Sequence, residues 1–283
     1  MTITAETKIV GIIGNPVSHS MSPVIHNACF SALSLSYVYA AFEVKDIAGA
    51  IRGLRALGIR GVSVTIPHKV ASMRYIDKID PLAEKIGAIN TIVNDNGTLS
   101  GYNTDAHGVQ QSFSQKRVAL KHRRALILGS GGAARAVAFI LAESAVERIN
   151  IASIEKGQMD KLIGDLRRHY SIEIMGSPWN KARLKNIVKA ADIVINATSV
   201  GMHPYLKSTP VNTNFLQKGQ AVFDVIYNPE ETRLLKGARK KGCRIVSGTD
   251  MFINQAAEQF RLFTGRTAPI NVMKKAFAKA MKK

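Results

Sequence analysis

The run LILGSGGAARAV, Leu126 to Val137, constrains this chain more than any other, because an apolar strand, a glycine turn and an alanine-rich helix follow one another without a spare residue. Gly129, Gly131 and Ala134 fall on the spacing G-x-G-x-x-G/A. Each type has a reason: Gly129 lets the chain turn off the strand, Gly131 lets backbone approach a pyrophosphate, and Ala134 lets helix pack on sheet. The free N–H groups at the helix start would then face phosphate oxygens. An ordinary tight strand-to-helix turn uses the same residues, but strand before and helix after favour dinucleotide binding.

The 283 residues suffice for two domains of ordinary size. No apolar run reaches the roughly 18 to 20 residues of a membrane helix, and the N-terminal MTITAETKIV lacks the pattern of a secretion signal, so a cytoplasmic protein is expected. Cys29 and Cys243 lack metal-site or redox spacing and read as core thiols; the seven histidines show no ligand spacing either, so no metal is expected. A net charge of +19, from 39 Lys+Arg against 20 Asp+Glu, implies a field that attracts anions. Basic residues gather at 116–124 and 274–283 with no aromatic beyond the single Phe277 and no nucleic-acid motif, so no nucleic-acid partner is expected.

Taken in order, KIVGIIG at 8–14 predicts a strand leading into a loop rich in small hydroxyls, where Ser22-Pro23 predicts a helix start with Ser22 as N-cap. A strand at 37–44, a helix capped by Asp46 and stopped by Gly58, and a strand at 61–66 follow, an alternation that predicts a mainly parallel sheet. That last strand runs into Thr65 and Lys69 at its carboxyl end, where open α/β sheets bind ligands; taken alone, Lys69 reads as a solvated residue. Asn90, then Asn103, Thr104 and Asp105, crowd polar groups between apolar strands and suggest a hydrogen-bonding pocket. Beyond a boundary near residue 107, strands are expected at 124–128, 148–153, 171–175, 192–197 and within QAVFDVIY, a Rossmann-type unit. NATSVGM forms a small carboxyl-end loop, and the late run from Ser247 reads as a helix capped at Thr249 or Asp250.

Together the motifs GNPVSHSMSPVIHN, SVTIPHK, GAINTIV, GYNTDAHG, GSGGAARAV, NATSVGM, DVIYNP and SGTDMFINQAAEQF, in this order from Gly14 to about Gly265, resemble the shikimate dehydrogenase family. The resemblance implies an α/β protein. Residues 1–106 would form a mainly parallel substrate domain, joined by returning C-terminal helices at 249–283, and 107–248 a Rossmann dinucleotide domain. It implies reversible reduction of 3-dehydroshikimate to shikimate by NADP, with NAD possible, in aromatic amino-acid biosynthesis, by a monomer or homodimer that takes a small anionic substrate. Carried over by position, Ser20 and Ser22 would bind the substrate carboxylate. Thr65, Asn90, Asp105 and Gln255 would hold ring hydroxyls, Tyr227 would lie near substrate and nicotinamide, and Lys69 with Asp105 would relay the alcohol proton. Gly129, Ser130, Gly131, Gly132, Ala133, Ala134, Ser153, Lys156, Thr198, Ser199, Gly248 and Met251 would contact the cofactor.

Two positions depart from relatives. Quinate-using enzymes often carry threonine at the second hydroxyl, whereas Ser20 and Ser22 favour shikimate; a quinate/shikimate dehydrogenase of broader specificity using NAD is the alternative. The arginine that usually clamps a 2′-phosphate is missing from Ala152 to Lys156: Ser153 and Lys156 would suit a phosphate, Glu155 a ribose, and the spacing does not decide. A non-catalytic ligand-sensing paralogue is a further reading, but it would have no need of Lys69 and Asp105 together.

Overall fold

A computed structural model describes residues 2–281. The chain divides into two compact units, one formed up to His107 together with the chain from Ile253 onward, the other by Gly108–Phe252. The return to the first unit therefore falls within a helix and not at 249.

The first unit carries β1 (Lys8–Gly14), α1 (Ser22–Ala32), β2 (Tyr37–Glu43), α2 (Ile47–Ala56), β3 (Gly61–Val64), β4 (Lys78–Ile79), α3 (Pro81–Ile86), β5 (Thr91–Asp95), β6 (Thr98–Tyr102) and the start of α4 (Thr104–Gln115). Its six strands lie in the order β2-β1-β3-β5-β6-β4. β1 pairs parallel with β2 and β3, and β4 parallel with β6, but β5 runs antiparallel to both β3 and β6. The sheet is thus mixed: the Asn96-Gly97 turn, with both residues at positive φ, allows an immediate β5–β6 hairpin where a parallel crossover would need a helix. Ile13, Val62, Val64, Ile92 and Leu99 pack with Ile51 and Leu54 of α2 and form one core. Asp46 caps α2 by accepting from the Gly49 N–H. Ser22 is not the N-cap of α1; Met21 holds that position, and Ser20 Oγ accepts from the Ser22 N–H at 3.3 Å.

The second unit continues with β7 (Arg124–Leu128), α5 (Gly132–Glu143), β8 (Arg148–Ser153), α6 (Lys156–His169), β9 (Glu173–Pro178), α7 (Lys181–Ala190), β10 (Ile193–Asn196), β11 (Ala221–Asp224), α8 (Arg233–Lys240), β12 (Arg244–Ser247) and the first turns of α9 (Gly248–Thr264). The rest of α9 and α10 (Ile270–Ala280) belong to the first unit. All five strand pairings are parallel, in the order β12-β11-β10-β7-β8-β9. β10 and β11 are buried at every residue, as a sheet covered on both faces requires. The strand expected at 171–175 lies at Glu173–Pro178, and β12 is an addition, a four-residue strand too short to show a period. α9 begins at Gly248, so neither Thr249 nor Asp250 caps it; Ser247 Oγ accepts from the Asp250 N–H at 3.2 Å. Among the described residues no helix is long and apolar enough to cross a membrane.

Candidate active site

In the first unit, β3 ends at Val64 and the chain leaves through Thr65, Ile66 and Pro67 to Lys69, whose carbonyl accepts from the Ile89 N–H at 2.9 Å. That bond fixes the backbone of Lys69 next to the segment that carries Asn90. Asp105 stands in the first turn of α4, where a carboxylate is favoured by the positive end of the helix dipole. Asn103 orders this turn: its Nδ2 donates to Ala88 O at 2.9 Å and its Oδ1 accepts from the Ala106 N–H at 3.1 Å. Lys69 Nζ and Asp105 Oδ2 are 2.5 Å apart, with side chains 20% and 12% exposed. An ammonium–carboxylate pair so largely withdrawn from water, yet still reachable, is placed to pass a proton.

Around it lies a set of uncharged polar side chains. Asn90 Oδ1 accepts from the Thr104 N–H at 2.7 Å and the Thr91 hydroxyl at 2.9 Å, while its Nδ2 donates to Thr104 Oγ1 at 3.0 Å. The Gln255 amide oxygen lies 3.4 Å from Thr104 Oγ1 and 3.5 Å from Asn90 Nδ2. Asn90, Thr91, Thr104 and Gln255 are all buried. Ser22 is also buried and Ser20 half-buried, and Thr65, half-buried, donates its N–H to Ile13 O. The structure therefore brings Lys69, Asn90, Asp105 and Gln255 into one neighbourhood of the first unit; Thr91, Tyr39, Ser63 and Gln259, which complete its hydrogen bonds, were not singled out by sequence. Thr91 was the one within reach, being adjacent to Asn90.

In the second unit, Gly129 has φ +107°, and a Cβ there would lie 2.8 Å from the carbonyl oxygen of Ala197. Only glycine fits both demands. Gly131 and Gly132 are exposed at the start of α5, a Cβ on Gly131 would meet nothing within 4 Å, Ala133 is half-buried, and Ala134 is fully buried against the sheet. Space above Gly131 and the first amides of α5 form an opening suited to phosphate oxygens. Ser130 Oγ lies 2.8 Å from Ser153 Oγ at the end of β8, and Ser153 Oγ accepts from the Glu155 N–H. Lys156 is exposed and pairs with Asp160 one turn on, at 2.5 Å.

The loop after β10 is shaped by Asn196, whose Oδ1 accepts from Thr198 Oγ1 at 2.6 Å and from the Thr198 N–H, and whose Nδ2 donates to Val200 O and to Asp224 Oδ1. Ser199 is exposed on this loop. Burial pushes the Asp224 carboxyl up to about 6, against the pull of donors from Thr232, Ile226 and Asn196. Tyr227 stacks on Phe252 with ring centroids 4.6 Å apart, and burial raises its phenol. Gly248 is closed in, a Cβ there lying 2.3 Å from Ile226 O, and Met251 is buried.

The chain is similar to proteins of known family. A family model described as the shikimate dehydrogenase substrate binding domain matches residues 12–92, and one described as the shikimate 5'-dehydrogenase C-terminal domain matches 248–276. The chain is 44% identical over 281 residues to a shikimate dehydrogenase (NADP(+)) of Moorella thermoacetica, spanning 99% of this chain and 95% of that one. Among solved structures, shikimate 5-dehydrogenase from Listeria monocytogenes in complex with shikimate and NAD matches with a TM-score of 0.92 at 33% identity, over 98% of each chain. A shikimate dehydrogenase in complex with NADP+ matches with a TM-score of 0.91 at 39% identity, over 100% of this chain and 98% of that one.

Proposed function

Because the chain belongs to the shikimate dehydrogenase family, we propose that it interconverts shikimate and 3-dehydroshikimate with NADP as the hydride carrier. The observation that carries the reading is the 2.5 Å Lys69–Asp105 pair set beside the buried Asn90, Thr104 and Gln255 amides and hydroxyls. We assign Ser20 and Ser22 to the carboxylate, Thr65, Asn90, Asp105 and Gln255 to the ring hydroxyls, and Tyr227 to the substrate as a further contact.

The nicotinamide, when bound, accepts or returns the hydride. In the oxidising direction the alcohol proton passes to the Lys69–Asp105 pair as the carbinol carbon loses hydride. In the reducing direction the Lys69 ammonium stabilises the developing alkoxide and supplies its proton, with Asp105 holding the ammonium in place. Asn90 and Gln255 orient the ring so that one carbinol carbon reacts. The residues fit a dinucleotide: Gly129 makes the turn, Gly131 and Gly132 leave room for the pyrophosphate, and Ser130, Ala133, Ala134, Thr198, Ser199, Gly248 and Met251 complete its surroundings. At the ribose end, Ser153 and Lys156 would hold the 2′-phosphate, since an exposed i,i+4 ion pair is worth only ~0.3–0.5 kcal/mol and Lys156 leaves Asp160 at little cost. Two free cysteines suit a reducing compartment, and we place the protein in the cytoplasm.

The test is oxidation of shikimate by the purified protein at alkaline pH, with NADP, with NAD, and with quinate in place of shikimate. Reduced nicotinamide should accumulate fastest with shikimate and NADP. No reduction by folded protein with either dinucleotide would sink the proposal, and equal rates on quinate would broaden the substrate.

A further inference from the structure

Behind the proposed substrate residues runs a chain of buried hydrogen bonds whose centre is Gln259, 2% exposed on α9 one turn beyond Gln255. Gln259 Nε2 donates to Asn90 O at 3.2 Å and to Thr91 Oγ1 at 3.0 Å. Its Oε1 accepts from Ser63 Oγ at 2.8 Å, and Ser63 Oγ accepts from the Tyr39 hydroxyl at 2.7 Å. Ser63 and Ser22 both pull the buried Tyr39 phenol back from the rise that burial gives it, which sets Ser22 beside the same hydroxyl. On the other side, the Thr91 hydroxyl donates to Asn90 Oδ1 at 2.9 Å.

Proton directions in this chain are forced by one group. The Asn90 carbonyl can only accept, so the Gln259 amide must turn its NH₂ toward it. Its oxygen then faces Ser63, whose proton is committed to it, and the Tyr39 proton is committed to Ser63. The Thr91 hydroxyl, already accepting from Gln259, is left to donate to Asn90 Oδ1, and with Thr104 this fixes which way the Asn90 amide points. Buried polar networks of this kind specify geometry only while every member is satisfied.

We infer that Gln259 is a positioning residue for the substrate: through Thr91 and the Asn90 carbonyl it sets the orientation of Asn90, and through Ser63 and Tyr39 it ties that hydroxyl-binding end to Ser22 at the carboxylate end. This rests on the shikimate reading above, because the two ends are those assigned to the ring and its carboxylate.

The informative variant is Gln259→Glu. Ionised, the introduced carboxylate has no hydrogen for the Asn90 carbonyl, and it draws the Thr91 proton away from Asn90 Oδ1, which frees the Asn90 amide to turn. Protonated, it has one O–H, which restores the bond to the Asn90 carbonyl but not the second donation to Thr91, and one oxygen to accept from Ser63. Burial raises the pKa of such a carboxyl, so both forms are sampled across the neutral range. Relative to wild type at each pH, the shikimate KM of Gln259→Glu should be raised about tenfold at alkaline pH and return toward wild type on acidification. Gln259→Met, of similar length and without hydrogen bonds, should show a comparable rise that does not vary with pH, and in both variants the dinucleotide KM should stay at the wild-type value.

A folded Gln259→Glu with wild-type shikimate KM at alkaline pH would overturn the inference. So would an equal rise in both KM values, a loss confined to kcat, or failure of both variants to fold, which would make Gln259 a requirement of the fold and not of the site. A wild-type protein inactive on shikimate would instead defeat the proposed function, and the wild-type arm of the same assay reveals that separately.

Discussion

The two units build their candidate sites from opposite materials. In the first, function-bearing groups are side chains: Lys69, Asn90, Asp105 and Gln255 stand on four different segments and are held by a buried polar network. In the second, the decisive feature is an absence of side chain, at Gly129 and Gly131, beside a parallel sheet whose central strands β10 and β11 are buried at every residue. A side-chain site is lost by deleting atoms, and a backbone site by adding them. The mixed sheet of the first unit tolerates polar groups between strands because each finds a partner there, and the fully parallel sheet of the second leaves its polar work to the loops at the carboxyl ends.

Deleting atoms from the first unit should give the largest effect. Lys69→Ala is expected to lower kcat about 10³-fold while shikimate binding, measured by calorimetry, persists. Near-wild-type turnover would return Lys69 to an ordinary charged residue. Adding atoms to the second unit should separate two glycines. Gly129→Ala forces a Cβ against Ala197 O at positive φ and should destabilise by ~2–3 kcal/mol in denaturant unfolding. Gly131→Val, at φ −75° with open space above it, should leave stability within ~0.5 kcal/mol and raise the dinucleotide KM severalfold. If both changes alter stability alone, the turn is only a turn.

One buried titratable group in each unit sets up a contrast in the sign of its response to acid. His26, fully buried and stacked on Tyr39 at 4.5 Å, is pulled down to about 3 by burial. The unfolded chain takes up that proton near pH ~6.5, so this contribution to stability is present above ~6.5 and is lost as pH falls toward 3. Asp224, pushed up to about 6, holds its proton longer than the unfolded chain does. Its contribution is present below ~4 and is lost as pH rises through 6. At full extent the His26 contribution is on the order of 5 kcal/mol and the Asp224 contribution on the order of 3 kcal/mol. His26→Phe should flatten the acid limb of a melting-temperature profile, and Asp224→Asn should steepen it between pH ~6 and ~4 by removing the opposing Asp224 contribution. Identical profiles for wild type and both variants would erase this contrast. The smallest expected change is that of Lys156→Ala, about threefold in the NADP KM with the NAD KM unmoved, because the ammonium is exposed and screened.

Much of this was legible in local sequence. β7 and β8 lie where the apolar runs place them, the Asp46 cap and the Asn96-Gly97 turn are formed, and the separated motifs identify the family. What escaped had a common cause. The antiparallel insertion of β5, the short β12 and the start of α1 at Ser22, with Met21 and not Ser22 in the cap position, each depend on contacts outside the window in which a period or a cap can be read. The same holds for the site. Asn90 is conspicuous between strands, but the Gln259–Ser63 bond joins residues 196 positions apart and leaves no local trace.

By itself, the sequence determined that a strand, a glycine turn and a helix succeed one another from Leu126 to Val137, because steric demands on φ and on packing distance act between neighbours. It determined also which chemical groups the chain owns. Only the tertiary structure decided that Lys69 and Asp105 share a proton-sized gap of 2.5 Å, and that Asn90 is oriented by hydroxyls and amides from β3, β5, α4 and α9. Hydrogen bonds are short-ranged and directional, so they select among side chains only after burial of the apolar core has brought distant segments within about 3 Å of one another.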